Sequence, residues 1–270
     1  MDTYMLMDCM PGFIHSGDDF VITDNGILIT ETTITGFNLF DSTGLPEFMR
    51  ARKAAQYSNS IDDVTKTFTT GNNGGYANDW LIGDTKTNEV AKLELGLKDY
   101  HVWRSKDTAM IGSNFPSDPK LIKEETTFNV DDATTSPNAR RKRMEQLVLV
   151  NLKGKLDAEV GKQVEADHVD ALQNANANNR CVICGHIDEK MQKDAQNGVS
   201  LLITQWVLYR EKLQRLNSQR TCSCGRTWDI PAAAILLARR FTKIHPEYAW
   251  QSKYLNNMMA YPWTLFSAKK

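Results

Sequence analysis

The chain has 270 residues, enough for one large domain or two small ones with a real core. Its 32 Lys and Arg stand against 33 Asp and Glu, a net charge of -1, so no global field recruits nucleic acid or a membrane surface. No apolar run reaches the length of a membrane span, and the opening MDTYMLMDCM lacks the basic and long apolar regions of a secretory signal, which leaves the compartment unassigned.

Pro11 and Gly12 interrupt the opening stretch, and Ser16-Gly17-Asp18-Asp19 forms a polar turn ahead of a strand over 20–23. Asp24-Asn25-Gly26, set between that strand and a second over 27–34, predicts a tight hairpin, because Asn and Gly tolerate the positive φ such turns need. The second strand carries Glu31-Thr32-Thr33, which by β-propensity alone is a Thr-rich strand surface. Pro46 opens a helix through Phe48, Ala51 and Ala55 to about Tyr57, with Arg50 and Arg52 on neighbouring faces. Ser60 with Asp63 three residues on predicts a capped second helix whose stripe is Ile61, Val64 and Phe68.

The stretch from Gly71 to Gly96 organises the rest. Asn72, Asn73, Gly74 and Gly75 let the main chain turn sharply and approach a ligand closely. Strands over 80–82 and 89–94 follow, joined by a turn over 84–88, and a polar loop at a sheet end is where sites are commonly built. Asn78, at the mouth of the first of these strands, can aim its amide N–H at a developing oxyanion or simply cap a turn. Residues 101–104 and 108–111 read as a third hairpin turned at Ser105-Lys106-Asp107. Hairpins interleaved with helices imply an α+β fold with mainly antiparallel sheet.

Ser136-Pro137 starts a further helix with Met144, Leu147 and Val148 inward, while Arg140, Arg141, Lys142 and Arg143 read as a solvated basic face rather than a nucleic-acid contact. Leu156, Val160 and Val164 carry the helical pattern toward His168, and 173–180 is polar and loop-like. Trp206, Leu213 and Leu216 suit an amphipathic helix, and Asp229 caps another from Pro231 to about Lys243. Trp250, Tyr254, Trp263 and Phe266 read as aromatics that clamp a tail onto the core.

Five cysteines, an odd count, make reduced thiols the default. Cys181-x-x-Cys184 with Cys222-x-Cys224 offers four thiolates for a structural zinc, but the second pair is spaced too closely, and free thiols or a disulfide fit better. His168-Val169-Asp170 and His186-Ile187-Asp188 could supply two histidines and a carboxylate to iron, in a pattern short enough to arise by chance. No metal and no cofactor is therefore expected, and there is no Walker or Rossmann glycine loop and no Gly-x-Ser-x-Gly elbow. Cys9, with His15 near it only in sequence, reads as a buried structural thiol.

Taken in order, Ser16-Gly17-Asp18-Asp19-Phe20, Glu31-Thr32-Thr33-Ile34, Tyr76-Ala77-Asn78-Asp79-Trp80 running to Leu93-Glu94, Ser136-Pro137 with Arg143 and Gln146, and Trp228-Asp229 resemble the phospholipase B-like family. The similarity is closer to its bacterial relatives among the isopenicillin N acyltransferase-type autoproteolytic hydrolases. It implies an αββα N-terminal-nucleophile sandwich over 1–270, mostly hairpins with two helices over 1–130 and helix-rich with an aromatic tail over 136–270. It implies hydrolysis of an acyl amide or ester, phospholipid included, by a cysteine freed through self-cleavage, with its own α-amino group as base. The family's Tyr-x-Asn-x-Trp pattern puts the oxyanion-hole residue on Asn78, and Thr32, Thr33, Asp19 and Tyr76 about the substrate. In relatives the nucleophile lies several dozen residues before the Ser-Gly-Asp-Asp-Phe turn. Cys9 does not take that role, and the chain is expected to be truncated, inactive or weak alone, and prone to self-association. The alternatives are a non-catalytic ligand-binding protein on the same fold and a zinc-stabilised module.

Overall fold

A computed structural model describes residues 4–7, 12–14, 19–177, 179–184, 205–207, 221–222, 243, 246–253 and 266–267. Its centre is an antiparallel sheet of six strands in chain order: β1 (Met5–Leu6), β2 (Phe20–Thr23), β3 (Ile27–Thr33), β4 (Asn78–Asp84), β5 (Glu89–Leu95) and β6 (Tyr100–Ser105). The hairpin expected at Asn25-Gly26 joins β2 to β3, with Gly26 at φ 78°. The second expected hairpin joins β4 to β5 and pairs Trp80 with Leu93.

One face of the sheet is covered by helices α1 (Glu47–Tyr57) and α2 (Ile61–Thr69). Ile27, Ile29, Trp80, Ile82, Ala91 and Leu93 alternate onto this face and pack with Ala51, Ala54, Ile61, Val64 and Phe68. The capping signal holds, since Ser60 Oγ accepts the Asp63 backbone N–H at 3.1 Å. Arg50 is buried rather than on a solvated face: it donates to the carbonyls of Leu45 at 3.1 Å and Phe68 at 2.7 Å, tying α1 to the end of α2.

The opposite face carries β7 (Met110–Gly112), which lies over β4 and β5 and pairs with β10 (Gln205–Val207). The third hairpin is thus not formed: β6 pairs with β5, whereas β7 takes a partner more than 90 residues away. Trp206 accordingly stands in a strand and not in the expected helix. Outside β7, a second core gathers Ala109, Ile111 and Phe115 with Met144, Val148, Leu156, Val164 and Ile183. Met144 belongs to α4 (Ser136–Met144), Val148 to a π-helical continuation over Glu145–Asn151, and Val164 to α5 (Ala158–Glu165). A helix absent from the expectations, α3 (Pro119–Glu125), begins where Asp118 accepts the backbone N–H of Lys120 and Leu121 and Pro119 takes the first turn.

The basic run is likewise not one solvated face. Arg140 is fully buried, Arg141 lies over the Phe115 ring at 4.7 Å, and Arg143 grips both oxygens of Asp167 at 2.8 and 2.6 Å. Residues 173–180 hold a two-residue strand, β9 (Ala175–Asn176), paired with β8 (Val169–Asp170). At the far end, β11 (Thr221–Cys222) pairs with β12 (Phe266–Ser267), while Trp250 sits 67% exposed in a 3-10 turn. The helix expected after Asp229, and Tyr254 and Trp263, lie outside the described residues. No helix among the described residues is long and apolar enough to cross a membrane.

Candidate functional site

The loop that leads into β4 is built by its asparagines. Asn72 Oδ1 accepts the Gly74 N–H at 2.9 Å and Asn73 Oδ1 that of Gly75 at 3.0 Å, while Asn72 Nδ2 donates to the Gly96 carbonyl. The chain then passes through Tyr76, a non-glycine residue at φ 63°, and enters β4 at Asn78. Asn78 is therefore the first strand residue and not a turn cap. It pairs with Thr33 on one side and Leu95 on the other.

Strand alternation sorts the expected site residues onto two faces. Thr33 and Asn78 share the α1/α2 face with Glu31 and Trp80, whereas Thr32 pairs with Asp79 on the β7 face. On the α1/α2 face Tyr76 Oη donates to Glu31 Oε1 at 3.1 Å, and the Asp19 carboxyl is hydrogen-bonded to Glu31. Burial first, and then the neighbouring Asp19, push the Glu31 carboxyl up to about 9, so it carries a proton at neutral pH. Burial and the Glu31 charge likewise hold the Tyr76 phenol above its ordinary value. Asn78 itself is 0% exposed, and among the described residues neither its Oδ1 nor its Nδ2, nor the buried Trp80 Nε1, finds a hydrogen-bond partner. Orphan buried amides are rare, because each costs about 1–3 kcal/mol.

Beside this cluster lies a small cleft of about 40 Å³. Phe20 and Val21 of β2, Ile29 of β3, Trp80 of β4, Ala55 of α1 and Phe68 of α2 form its apolar walls, with Asp19 and Glu31 at a polar end. Asn78 lies two residues from Trp80 on the same sheet face without lining the cleft.

On the β7 face Thr32 Oγ1 accepts the Asn114 N–H at 2.8 Å and Asn114 Nδ2 donates to the Thr33 carbonyl at 2.9 Å. Arg140 Nη2 in turn donates to Asn114 Oδ1 at 3.0 Å, so a guanidinium far along the chain fixes the end of β3. Burial draws this guanidinium down to about 9. Alongside, Lys92 Nζ meets Asp79 at 2.8 Å, Glu94 at 3.5 Å and Ser117 Oγ at 2.9 Å, over the Trp103 and Phe115 rings. Glu94 also accepts the Ser117 and Asp118 backbone N–H at 2.6 and 2.7 Å. Two buried carboxylates share one ammonium, and burial foremost holds Asp79 well above the usual carboxylate range. The hydropathy pattern hides Asp79, Lys92 and Glu94, because each sits at a strand position that reads as ordinary surface.

The residues behind the metal readings are described only in part. Asp170 accepts the Leu172 N–H and the side-chain amides of Gln173 and Asn179, so it braces a turn, and His168 Nδ1 faces the Ala166 carbonyl. No group of three candidate ligands gathers among the described residues. Cys181 is half-buried and Cys184 buried on the α4–α5 side of the molecule, and burial pushes the Cys181 thiol up. Cys9, His15, Ser16 to Asp18, His186, Asp188, Cys224 and the Cys222 side chain lie outside the described residues.

Comparison with known proteins matches the phospholipase B family model over residues 2–163. Phospholipase B-like protein G of Dictyostelium discoideum is 39% identical over 82 residues, 28% of this chain and 14% of that protein. Phospholipase B of Crotalus adamanteus is 35% identical over 94 residues, 33% of this chain and 16% of that protein. The match thus spans about a seventh of the length of these relatives. The family match covers the six-stranded sheet, helices α1 and α2, strand β7 and every residue of the cluster around Asn78. The chain belongs to the phospholipase B family.

Proposed function

We propose that the chain carries the oxyanion-binding and acyl-binding part of a hydrolase acting on acyl esters or amides of lipid-like molecules. The observation that carries this reading is the Asn78 amide, fully enclosed and without a hydrogen-bond partner among the described residues, paired with Thr33 and on the same sheet face as Glu31. A buried donor that the fold leaves unused stabilises developing negative charge without reorganising, which is how oxyanion holes act. Family membership supports hydrolysis of lipid esters, and the layering of α1/α2, six-stranded sheet, β7/β10 and α4–α5 supports an αββα N-terminal-nucleophile sandwich.

In this reading a cysteine thiolate adds to the acyl carbonyl while its α-amino group takes the thiol proton and hands it to the leaving alcohol or amine. Water then hydrolyses the thioester, and Asn78 Nδ2 donates to the oxyanion in both steps. Cys181 and Cys184 lie on the α4–α5 side, so neither of these thiols stands beside Asn78. An oxyanion hole by itself retains on the order of a thousandfold over water in serine proteases.

The test is hydrolysis of a lysophospholipid and of a long-chain N-acyl amide by the chain and by Asn78→Ala. A weak rate that falls by about 10²–10³ in the variant is expected. Equal rates in both would remove Asn78 from the mechanism. A second reading, ligand binding without turnover, is favoured by the complete enclosure of the Asn78 side chain, and saturable binding with no hydrolysis at any pH would establish it.

A further inference from the structure

We propose that Arg140 and Asn114 are positioning residues for Asn78: together they set the end of β3 against which its amide is held. This rests on the proposed hydrolysis only in giving that amide a task, since the positioning itself needs no turnover.

Strand β2 accompanies β3 no further than the pairing of Phe20 with Thr30 and the Glu31 N–H bonded to the Asp19 carbonyl. The last residues of β3 therefore have β4 along one edge and a second edge that needs partners, because buried backbone groups are costly to leave unpaired. Asn114, two residues past β7, takes that place. It accepts the Thr35 N–H on its carbonyl at 3.3 Å, gives its own N–H to Thr32 Oγ1 at 2.8 Å, and gives Nδ2 to the Thr33 carbonyl at 2.9 Å. It does so at φ 65°, in the left-handed region that Asn tolerates better than most side chains. Thr33 is the residue opposite Asn78.

A side-chain amide can flip, and a flipped Asn114 would set Oδ1 against the Thr33 carbonyl, acceptor against acceptor. Arg140 prevents this. A guanidinium only donates, so Nη2 at 3.0 Å obliges Oδ1 to face Arg140 and leaves Nδ2 facing Thr33. Arg140 is held in turn by its Nε on Ser136 Oγ at 3.1 Å, and that hydroxyl donates to the Arg180 carbonyl at 2.6 Å. Ser136 begins α4, so the relay runs from α4 through one amide to the strand pair that carries Asn78.

A role in stability alone fits Arg140 poorly. It is buried, its Nη1 has no hydrogen-bond partner, and the ionisable groups that act on it are Cys181 and Arg180 rather than a carboxylate. A buried charge of this kind costs stability, and apolar replacements of similar volume are commonly neutral or better. Asn78, for its part, has no hydrogen bond of its own to aim its amide, so the aim depends on the strands around it.

Hydrogen exchange of the Asn78 side-chain amide, followed by NMR with its resonances identified as the pair missing from Asn78→Ala, tests this. The parent is compared with Arg140→Met and with Asn114→Asp, which keeps an acceptor for Arg140 but loses the donor to Thr33. In both variants the Asn78 amide should exchange at least about tenfold faster, while the backbone N–H groups of Leu81 and Leu93 at the sheet centre stay within about threefold of the parent. Any hydrolysis that depends on Asn78 should lose at least about tenfold in kcat with KM within about twofold. An Asn78 amide that exchanges as in the parent, one that speeds up only in step with Leu81 and Leu93, or an unchanged kcat would overturn the proposal. Asn78-dependent hydrolysis with unaltered exchange would leave the proposed function standing and this inference refuted. Hydrolysis indifferent to Asn78→Ala, with the expected exchange rates, would do the reverse.

Discussion

Glu125, at the last turn of α3, is buried with both carboxylate oxygens engaged. Oε2 accepts the N–H of Leu97 at 2.6 Å and Lys98 at 3.1 Å, and Oε1 that of Asp99 at 2.8 Å, closing the turn between β5 and β6. Gly96 packs against the same carboxyl so closely that any Cβ would stand 2.7 Å from Oε2. Charge-assisted bonds are the strong ones, so Glu125→Ala should cost about 2–4 kcal/mol in urea unfolding, and Glu125→Gln should recover part of it. A loss within about 0.5 kcal/mol would mean that water or a neighbour replaces the carboxylate. Single residues were legible in the sequence only where the backbone dictates them. Asn25-Gly26 announces its positive φ through composition, and Ser60 announces a cap through spacing. Glu125, Arg140 and Lys92 act on partners 20 or more residues away, and nothing local marks them. Asn78 was singled out from its motif, but its enclosure and lack of partners are properties of packing.

At the scale of elements, period and turn chemistry identified β2–β5, α1 and α2, because each is specified by adjacent residues. The error fell on β7, whose three residues satisfy a strand pattern while their partner, β10, is specified elsewhere. The strand alternation also separates Thr32 from Thr33, a distinction that a motif spanning both cannot make. What lets β7 approach is Gly112: a Cβ there would stand 2.4 Å from Thr32 Cγ2. Gly112→Ala should therefore destabilise by about 1–3 kcal/mol through overpacking. Thr32→Ser removes the clashing methyl while keeping the Oγ that accepts from Asn114, so it should restore much of the loss when combined with Gly112→Ala. The double-mutant cycle should give a coupling above about 0.5 kcal/mol; simple additivity would show that β7 relieves the contact by moving.

For the whole molecule, the unusual feature is a buried carboxyl, Glu31, that holds its proton at neutral pH. Glu31 goes from 4.5 to about 9 through burial and Asp19, and Asp79 is held well above its ordinary value chiefly by burial. A raised folded-state value means that the native protein binds more protons than the unfolded chain between the two values. The stabilisation is complete below about pH 4.5 and is lost as the pH climbs toward about 9. Global stability should therefore decline across this window, opposite to a carboxylate held low by a salt bridge. Glu31→Gln removes the titrating group but keeps the shape and a neutral polar head. Its unfolding free energy should match the parent near pH 5, exceed it above pH 8, and fall less steeply between, with Asp79 supplying the remaining slope. Urea midpoints measured from about pH 5 to about pH 9 decide it, and parallel curves for the two proteins would mean that Glu31 is ionised in the native state.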